Sequence, residues 1–168
     1  MLMNNNEVNA FRKPRCCVFT GSFNPFTIGH ADIVQRALGV FDKVVIGVGY
    51  NPEKGLSDTA SRVEQIEQVY RNDPRVVVEA FSDLTADLAG RHNAIAVVKG
   101  VRTVQDFEYE RQQAEFNNLL GCGLETVVFF AKPSLAALSS SVVRQLQYFG
   151  RDVSEFLPNP DVQSTENR

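Results

Sequence analysis

The chain has 168 residues, of which 43% are hydrophobic, so it is long enough for one domain with a complete core. Its formal net charge of -3 excludes the overall basic character of a general nucleic-acid binder, so positive charge for any anionic ligand must be concentrated locally. No segment approaches the roughly 18 apolar residues of a membrane span, and we expect no membrane association. Cys16, Cys17 and Cys122 show neither metal-site nor disulfide spacing, which is typical of reduced thiols in a cytoplasmic protein.

Apolar runs and helical periodicities alternate along the chain. We predict a loose arm over residues 1–14, a single domain over 15–158 and a polar tail over 159–168. In chain order, the pattern predicts strands at 16–19, 43–50, 75–80, 94–98 and 125–131, each followed by a helix, at 31–40, 57–71, 82–91, 103–120 and 139–149. The second helix has Ser57 or Thr59 as a candidate N-cap. The predicted fold class is α/β, a Rossmann-like, doubly wound, five-stranded parallel sheet with helices on both faces.

Groups of glycine and polar residues follow four of the predicted strands, at 20–30, 51–56, 99–102 and 134–141. Ligands of doubly wound sheets bind beyond the carboxyl ends of the strands, at the point where the strand order reverses. We therefore expect all four groups to meet at one edge of the sheet and to form one site.

The first of these groups joins a strand to a helix start through Gly21, Pro25 and Gly29, and it ends at His30. Backbone N–H groups at a helix start bind phosphate readily, and a histidine there adds another donor. The spacing fits neither G-x-G-x-x-G nor G-x-x-x-x-G-K-S/T, so an ordinary dinucleotide site and a P-loop are both disfavoured. A histidine that only packs or caps is the alternative interpretation.

Two short motifs resemble the signatures of the nucleotidyltransferase superfamily. Thr27-Ile28-Gly29-His30 matches the (T/H)xGH signature, whose histidine contacts the α-phosphate of a nucleoside triphosphate. Ser139-Ser140-Ser141-Val142-Val143-Arg144 resembles the second signature, ISSSxxR, with Leu138 in place of the isoleucine. Three serines can also simply cap a helix, and that role is compatible with phosphate binding.

A third segment resembles one enzyme family more closely. Lys99-Gly100-Val101-Arg102, followed by Asp106-Phe107-Glu108-Tyr109-Glu110, is similar to the RGLRxxxDFEYE segment of phosphopantetheine adenylyltransferases; alone it could be a solvated charge pair. The resemblance extends from about residue 16 to 158. It implies transfer of the adenylyl group of ATP to 4'-phosphopantetheine, with dephospho-CoA and pyrophosphate as products, Mg²⁺ bound with ATP, coenzyme A as a possible feedback ligand and a homohexamer.

The resemblance also implies a role for individual residues. It makes His30, Lys54 and Arg102 catalytic and gives no protein ligand to a metal. It implies ATP contacts at Ser22, Phe23, His30, Gly100, Val101, Arg102, Glu110, Leu135, Ala136, Ala137, Leu138, Ser139, Ser140 and Ser141. It implies phosphopantetheine contacts at Ser22, Lys54, Thr85 and Lys99.

Departures from the family pattern leave alternatives open. Lys99 stands where the family usually has arginine; lysine keeps the charge but lacks the planar fork that grips phosphate at two points. Asn24 and Leu135 replace a common aspartate and a frequent tryptophan. The alternatives are a nicotinate mononucleotide or other adenylyltransferase of the same superfamily, and a non-catalytic nucleotide-binding module. For an adenylyltransferase we expect direct in-line displacement, because positioning and charge neutralisation suffice.

Overall fold

Strands and helices alternate strictly along the chain, as predicted. The computed structural model describes residues 13–49, 56–121 and 123–159. Its strands are β1 (Cys16–Gly21), β2 (Lys43–Gly49), β3 (Val76–Phe81), β4 (Ala96–Val101) and β5 (Glu125–Phe130). Its α-helices are α1 (Ile28–Leu38), α2 (Leu56–Tyr70), α3 (Thr85–Arg91), α4 (Val104–Leu120) and α5 (Ser140–Tyr148), with 3-10 turns at Pro133–Leu135 and Ser154–Phe156. The predicted arm and tail lie outside these ranges, apart from Lys13, Pro14 and Asn159.

The five strands form one parallel sheet in the order β3-β2-β1-β4-β5, which confirms the predicted fold class. The direction of strand addition reverses between β1 and β4. β1 pairs with β2 over six positions, but its ladder with β4 covers only three and ends at Phe19 opposite Val98. The carboxyl ends of β1 and β4 therefore separate. This opening is the crevice in which doubly wound folds bind ligands.

Alternation along β1 divides the core between the two faces of the sheet. Cys17 and Phe19 pack in the cluster that includes residues of α1 and α2, whereas Cys16 and Val18 pack in the cluster with α3. Both cysteines are buried and free, on opposite faces as their adjacency predicts. Burial of each large apolar side chain contributes about 1.5–3 kcal/mol.

Gly47 of β2 sets the distance between the sheet and one of its helices. A Cβ atom at this position would lie 2.4 Å from Cδ2 of Leu88 in α3, a completely buried side chain. Only glycine therefore lets α3 lie directly on β2.

Several element bounds differ from the sequence prediction for identifiable reasons. β4 continues through Lys99, Gly100 and Val101, because these residues pair with β5. The predicted helix at 82–91 begins only at Thr85. Ser57 and Thr59 both lie inside α2, so neither is its N-cap. α1 begins three residues earlier than predicted, at Ile28, so His30 belongs to its first turn.

α4 differs from the other long helices in having no buried residue. Six of its large apolar side chains are exposed: Val104, Phe107, Tyr109, Phe116, Leu119 and Leu120. Among the described residues, no helix is both long enough and apolar enough to cross a membrane.

Candidate active site

A cavity of about 350 Å³ occupies the opening between β1 and β4, a size typical of small-molecule sites. Its walls combine the strand ends with the start of α1, Glu110 of α4 and the start of α5. Twelve predicted site residues line it: Ser22, Phe23, His30, Lys99, Gly100, Arg102, Glu110, Leu135, Leu138, Ser139, Ser140 and Ser141. The structure thus brings together residues from three distant parts of the sequence.

The remaining predicted residues do not line this cavity. Val101 is buried in the core, and Ala136 and Ala137 are exposed beyond the wall. Thr85 begins α3 at the same edge of the sheet but outside the cavity lining. Lys54 lies outside the described residues, between the end of β2 and the start of α2.

His30 is fixed by the residue that precedes α1. The backbone N–H of Thr27 donates to Nδ1 of His30 at 2.9 Å, and the Thr27 hydroxyl lies 3.0 Å from the same nitrogen. Because the backbone can only donate, Nδ1 is the acceptor and the proton of the neutral ring is on Nε2. His30 therefore offers one N–H donor to a ligand.

Aromatic rings surround His30 and keep it uncharged. Phe23 meets it edge-on with ring centroids 5.2 Å apart, and Phe26 stacks on it at 5.4 Å. Burial lowers the pKa of His30 to about 4, and the positive charge of Arg102 adds to this effect. At neutral pH the imidazole can thus donate a hydrogen bond without carrying charge.

The opposite wall is charged. Lys99 Nζ lies 3.2 Å from Glu110 Oε2, and Arg102 Nε lies 3.1 Å from Asp106 Oδ2. Arg102 also donates to the carbonyl oxygen of Leu138 at 3.2 Å. Partial burial opposes ionisation of Asp106, but the hydrogen bonds from Arg102 outweigh it and lower the pKa of that carboxyl group. The two cations are therefore held in place by carboxylates with which an anionic ligand can compete.

Gly100 has a packing role in addition to the predicted close approach to a ligand. It lines the cavity, and a Cβ atom there would lie 3.0 Å from Cγ1 of Ile33 in α1. The absence of a side chain lets α1 pack close to β4, which brings His30 and the charged wall to the same cavity.

The three serines at the start of α5 make different contacts. Ser139 is the N-cap, and its Oγ accepts the N–H of Val142 at 3.1 Å. Ser140 Oγ donates to the carbonyl oxygen of Pro25 at 2.8 Å, and Ser141 Oγ accepts from Arg144 at 3.0 Å. The capping interpretation is confirmed for Ser139. All three also border the cavity beside the N-terminus of a helix, where N–H groups favour anions.

Sequence reasoning missed two charged residues of the lining, Asp32 and Arg144. Asp32 forms ion pairs with Arg36, at 3.3 Å, and with Lys132, which follows β5. Arg144 donates to the carbonyl oxygen of Asn24. Its place at the end of the serine signature is a signal that could have identified it. Nothing in the sequence distinguishes Asp32 from an exposed helical aspartate.

The described residues contain no group of three or more His, Cys, Asp and Glu side chains able to hold a metal ion. The acidic side chains of the lining, Asp32 and Glu110, are both engaged by cations. This donor set fits a divalent ion that is held mainly by ligand phosphates and water, as Mg²⁺ usually is in nucleotide sites.

Comparison with known proteins identifies the family of this chain. A family model described as cytidylyltransferase-like matches residues 18–146. The chain is 48% identical over 145 residues to the phosphopantetheine adenylyltransferase of Phocaeicola vulgatus, covering 86% of this chain and 95% of that protein. It is 47% identical over 147 residues to the enzyme of that name from Porphyromonas gingivalis, covering 87% and 95%.

Among solved structures, a bifunctional NMN adenylyltransferase/ADP ribose pyrophosphatase from Francisella tularensis has the same fold, with a TM-score of 0.66 at 19% identity. The match covers 89% of this chain and 46% of that one. A second structure of that protein, complexed with AMP and a manganese ion, gives a TM-score of 0.62 at 20% identity.

Proposed function

The chain belongs to the phosphopantetheine adenylyltransferases of the cytidylyltransferase-like family, and we propose that its cavity aligns ATP and 4'-phosphopantetheine for direct adenylyl transfer. The reaction joins AMP to the phosphate of 4'-phosphopantetheine, gives dephospho-CoA and pyrophosphate, and belongs to coenzyme A biosynthesis. The single observation that carries the mechanism is the uncharged, hydrogen-bonded His30 facing a cationic wall across one cavity.

Direct displacement accounts for the residues that line the cavity. An anionic phosphate must attack an anionic α-phosphate, so catalysis needs positioning and neutralisation of the growing charge. No cysteine lines the cavity among the described residues, and His30 is oriented by Thr27 rather than by a carboxylate. These features favour donors and cations over a covalent nucleophile.

His30 supplies the donor at the reacting phosphorus. Nε2–H donates to a non-bridging oxygen of the α-phosphate, and this bond strengthens as charge accumulates there. Since the ring is neutral at physiological pH, it stabilises that oxygen without acting as a general acid.

The cationic wall and the start of α5 hold the rest of ATP. Arg102 and the segment Ser139, Ser140 and Ser141 bind the β- and γ-phosphates, and Phe23 and Leu135–Leu138 complete the nucleotide site. Gly100 and Glu110 contact ATP, Glu110 near the adenosine, whereas Val101 is buried behind the cavity wall. Mg²⁺ bound with ATP would be held by phosphate oxygens and water rather than by these side chains, and it would supply neutralisation of part of the phosphate charge.

The acceptor lies on the side of the sheet edge that leads toward α3. Ser22, Lys54, Thr85 and Lys99 bind 4'-phosphopantetheine, with Lys54 orienting the attacking phosphate. The position of Thr85 at the same sheet edge supports this direction for the pantetheine arm.

The exposed apolar surface of α4 supports self-association. Six exposed large apolar residues on a helix with no buried residue are unusual for an isolated domain. We infer a homohexamer in the cytoplasm, with residues 15–158 as the catalytic domain and coenzyme A as a feedback ligand. Sedimentation velocity should give a particle of six chains.

The decisive experiment mixes the purified protein with ATP, Mg²⁺ and 4'-phosphopantetheine. We expect pyrophosphate release together with a product of the mass of dephospho-CoA. Transfer of AMP to nicotinate mononucleotide instead would establish the alternative adenylyltransferase, and binding of ATP without product would establish a non-catalytic module.

A pair of lysine variants tests the acceptor assignment. Lys54→Ala should raise the KM for 4'-phosphopantetheine at least tenfold, because it removes a phosphate contact, and should leave the Kd for ATP nearly unchanged. Lys43→Ala is the matched control, since Lys43 begins β2 at the opposite edge of the sheet. If both variants had the KM and kcat of the parent protein, Lys54 would not belong to the acceptor site.

A further inference from the structure

The turn formed by residues 22–25, between β1 and α1, is held by side chains from two later helices. Arg62 of α2 donates to the carbonyl oxygen of Ser22. From α5, Arg144 donates to that of Asn24, and Ser140 to that of Pro25. The shape of the 22–25 turn is therefore imposed from outside the turn itself.

This external support coincides with a strained backbone. Phe23 has a φ of 46°, in the left-handed region that is unfavourable for a residue with a side chain. Its ring is nevertheless only 3% exposed and packs against His30 and Phe26. Such a conformation persists only where the surroundings over-determine it, and it is typical of functional sites.

Arg62 is the most unusual of these supports, because it is an arginine with only 8% exposure. Its guanidinium is always charged, and burial of a charge is unfavourable unless the group is hydrogen-bonded. Besides Ser22, it donates to Thr59 Oγ1 at 2.9 Å, from a threonine that is 2% exposed and one turn earlier on α2. Thr59 thus fixes one end of the guanidinium while the other end holds the turn.

The place of Arg62 in the fold links the two halves of the site. α2 begins at Leu56, directly after residues 50–55, which include Lys54. Ser22, whose carbonyl oxygen Arg62 binds, lines the cavity. Arg62 therefore connects α2, the helix that follows Lys54, with the 22–25 turn, which borders the proposed ATP site.

We propose that Arg62, oriented by Thr59, is a positioning residue that sets the alignment of the two substrates through the carbonyl oxygen of Ser22; this rests on the proposed adenylyl transfer. Arg62 itself touches neither substrate. Its loss shifts the 22–25 turn relative to α2, so the attacking phosphate and the α-phosphate no longer meet in line. The effect falls on turnover, because misalignment of reacting groups slows the step even where binding survives.

Two substitutions of Thr59 test the proposal with matched packing. Thr59→Val removes the hydroxyl that orients Arg62 and keeps the side-chain volume. Thr59→Ser keeps the hydroxyl and removes a methyl group. We expect Thr59→Val to lower kcat for dephospho-CoA formation about tenfold, with the Kd for ATP within twofold of the parent value. The serine variant keeps the hydroxyl, so its kcat should stay within twofold of the parent value, even if its Tm is lower than that of the valine variant.

Arg62→Lys provides a second measurement. Lysine keeps the charge but cannot bridge Ser22 and Thr59 with a planar fork, so kcat should again fall while the Kd for ATP is maintained. The proposal is overturned if Thr59→Val keeps the parental kcat, or if kcat follows Tm in the same way in both Thr59 variants. A parent protein that makes no dephospho-CoA would instead contradict the proposed function itself.

Discussion

The two strand ends that face each other across the cavity are organised by opposite physical means. Beyond the end of β1, in the first turn of α1, His30 is uncharged, packed against phenylalanine rings and fixed by a backbone N–H group. At the end of β4, Lys99 and Arg102 are charged and are held by Glu110 and Asp106. The first side is pre-organised by burial, and the second by ion pairs that a ligand can replace.

This difference indicates that the two sides of the cavity stabilise different charges during the reaction. A neutral donor can be buried at little cost, and it keeps its position whether or not a ligand is bound. Cations in the same surroundings would be strongly destabilising without carboxylate partners. The β1 side is therefore suited to the charge that develops in the transition state, and the β4 side to phosphates that are charged throughout.

The largest expected effect comes from removing the neutral donor. His30→Ala should lower kcat roughly 10²–10³-fold, the usual loss for one donor aimed at developing negative charge. The Kd for ATP should change little, because the cationic side remains. Steady-state kinetics and ATP titration measure the two quantities.

His92→Ala is the matched control for His30, since it changes the chain's other histidine. His92 pairs with Glu79 at 2.7 Å and does not line the cavity, so its loss should leave kcat intact. If His30→Ala had the kcat of the parent protein, His30 would have only a structural role.

The dependence of stability on pH tests whether His30 is neutral in the folded protein, in contrast to Lys99 and Arg102 across the cavity. The folded state keeps the pKa of His30 near 4, against an ordinary 6.5, so the unfolded chain binds the proton first as the pH falls. The free energy of unfolding should therefore decrease between about pH 6.5 and pH 4, by on the order of 3 kcal/mol from this group.

Urea denaturation at a series of pH values tests this in the parent and in His30→Gln. The difference in stability between the two should shrink as the pH falls through that window. A constant difference would mean that His30 titrates normally in the folded protein.

The smallest effect is expected on the charged side, from Lys99→Arg. A guanidinium can hold Glu110 with one edge and a phosphate with the other, whereas Lys99 must divide a single ammonium group between them. We expect the KM for 4'-phosphopantetheine to fall about twofold to fivefold at an unchanged kcat, within the range of one improved charge-assisted hydrogen bond. Lys99→Gln should raise that KM by more than Lys99→Arg lowers it. A loss of activity in Lys99→Arg would show that the cavity is shaped specifically for lysine.

Much of the fold was predictable because the strands are predominantly apolar and alternate with helices. The same pattern placed His30, Arg102 and the three serines at one edge of the sheet, and the cavity confirms that they meet there. The prediction failed at β4, where Lys99 and Gly100 have the character of a loop but pair with β5. Strand pairing overrode local preference in that case.

Two of the contacts that sequence reasoning missed connect distant positions. The hydrogen bond from Arg62 to Ser22 spans 40 residues, and that from Arg144 to Asn24 spans 120. The apolar periodicity of α2 could not identify Arg62 as a support of the turn, because it carries no information on a carbonyl oxygen elsewhere in the chain. Such partners follow only from the three-dimensional arrangement. The roles of Lys54 and Thr85 stay predictions.

The short ladder between β1 and β4 bears on how ligand binding stabilises the folded state. Three paired positions join β1 to β4 in the sheet, whereas each neighbouring ladder has six. A nucleotide bound in the opening, as we propose, would touch both strand ends, and it would stabilise the folded state by about 2.7 kcal/mol at a concentration a hundred times its Kd. We therefore expect ATP bound there to hold the least extensively paired strands of the sheet together, so that the Tm of the protein rises with ATP concentration.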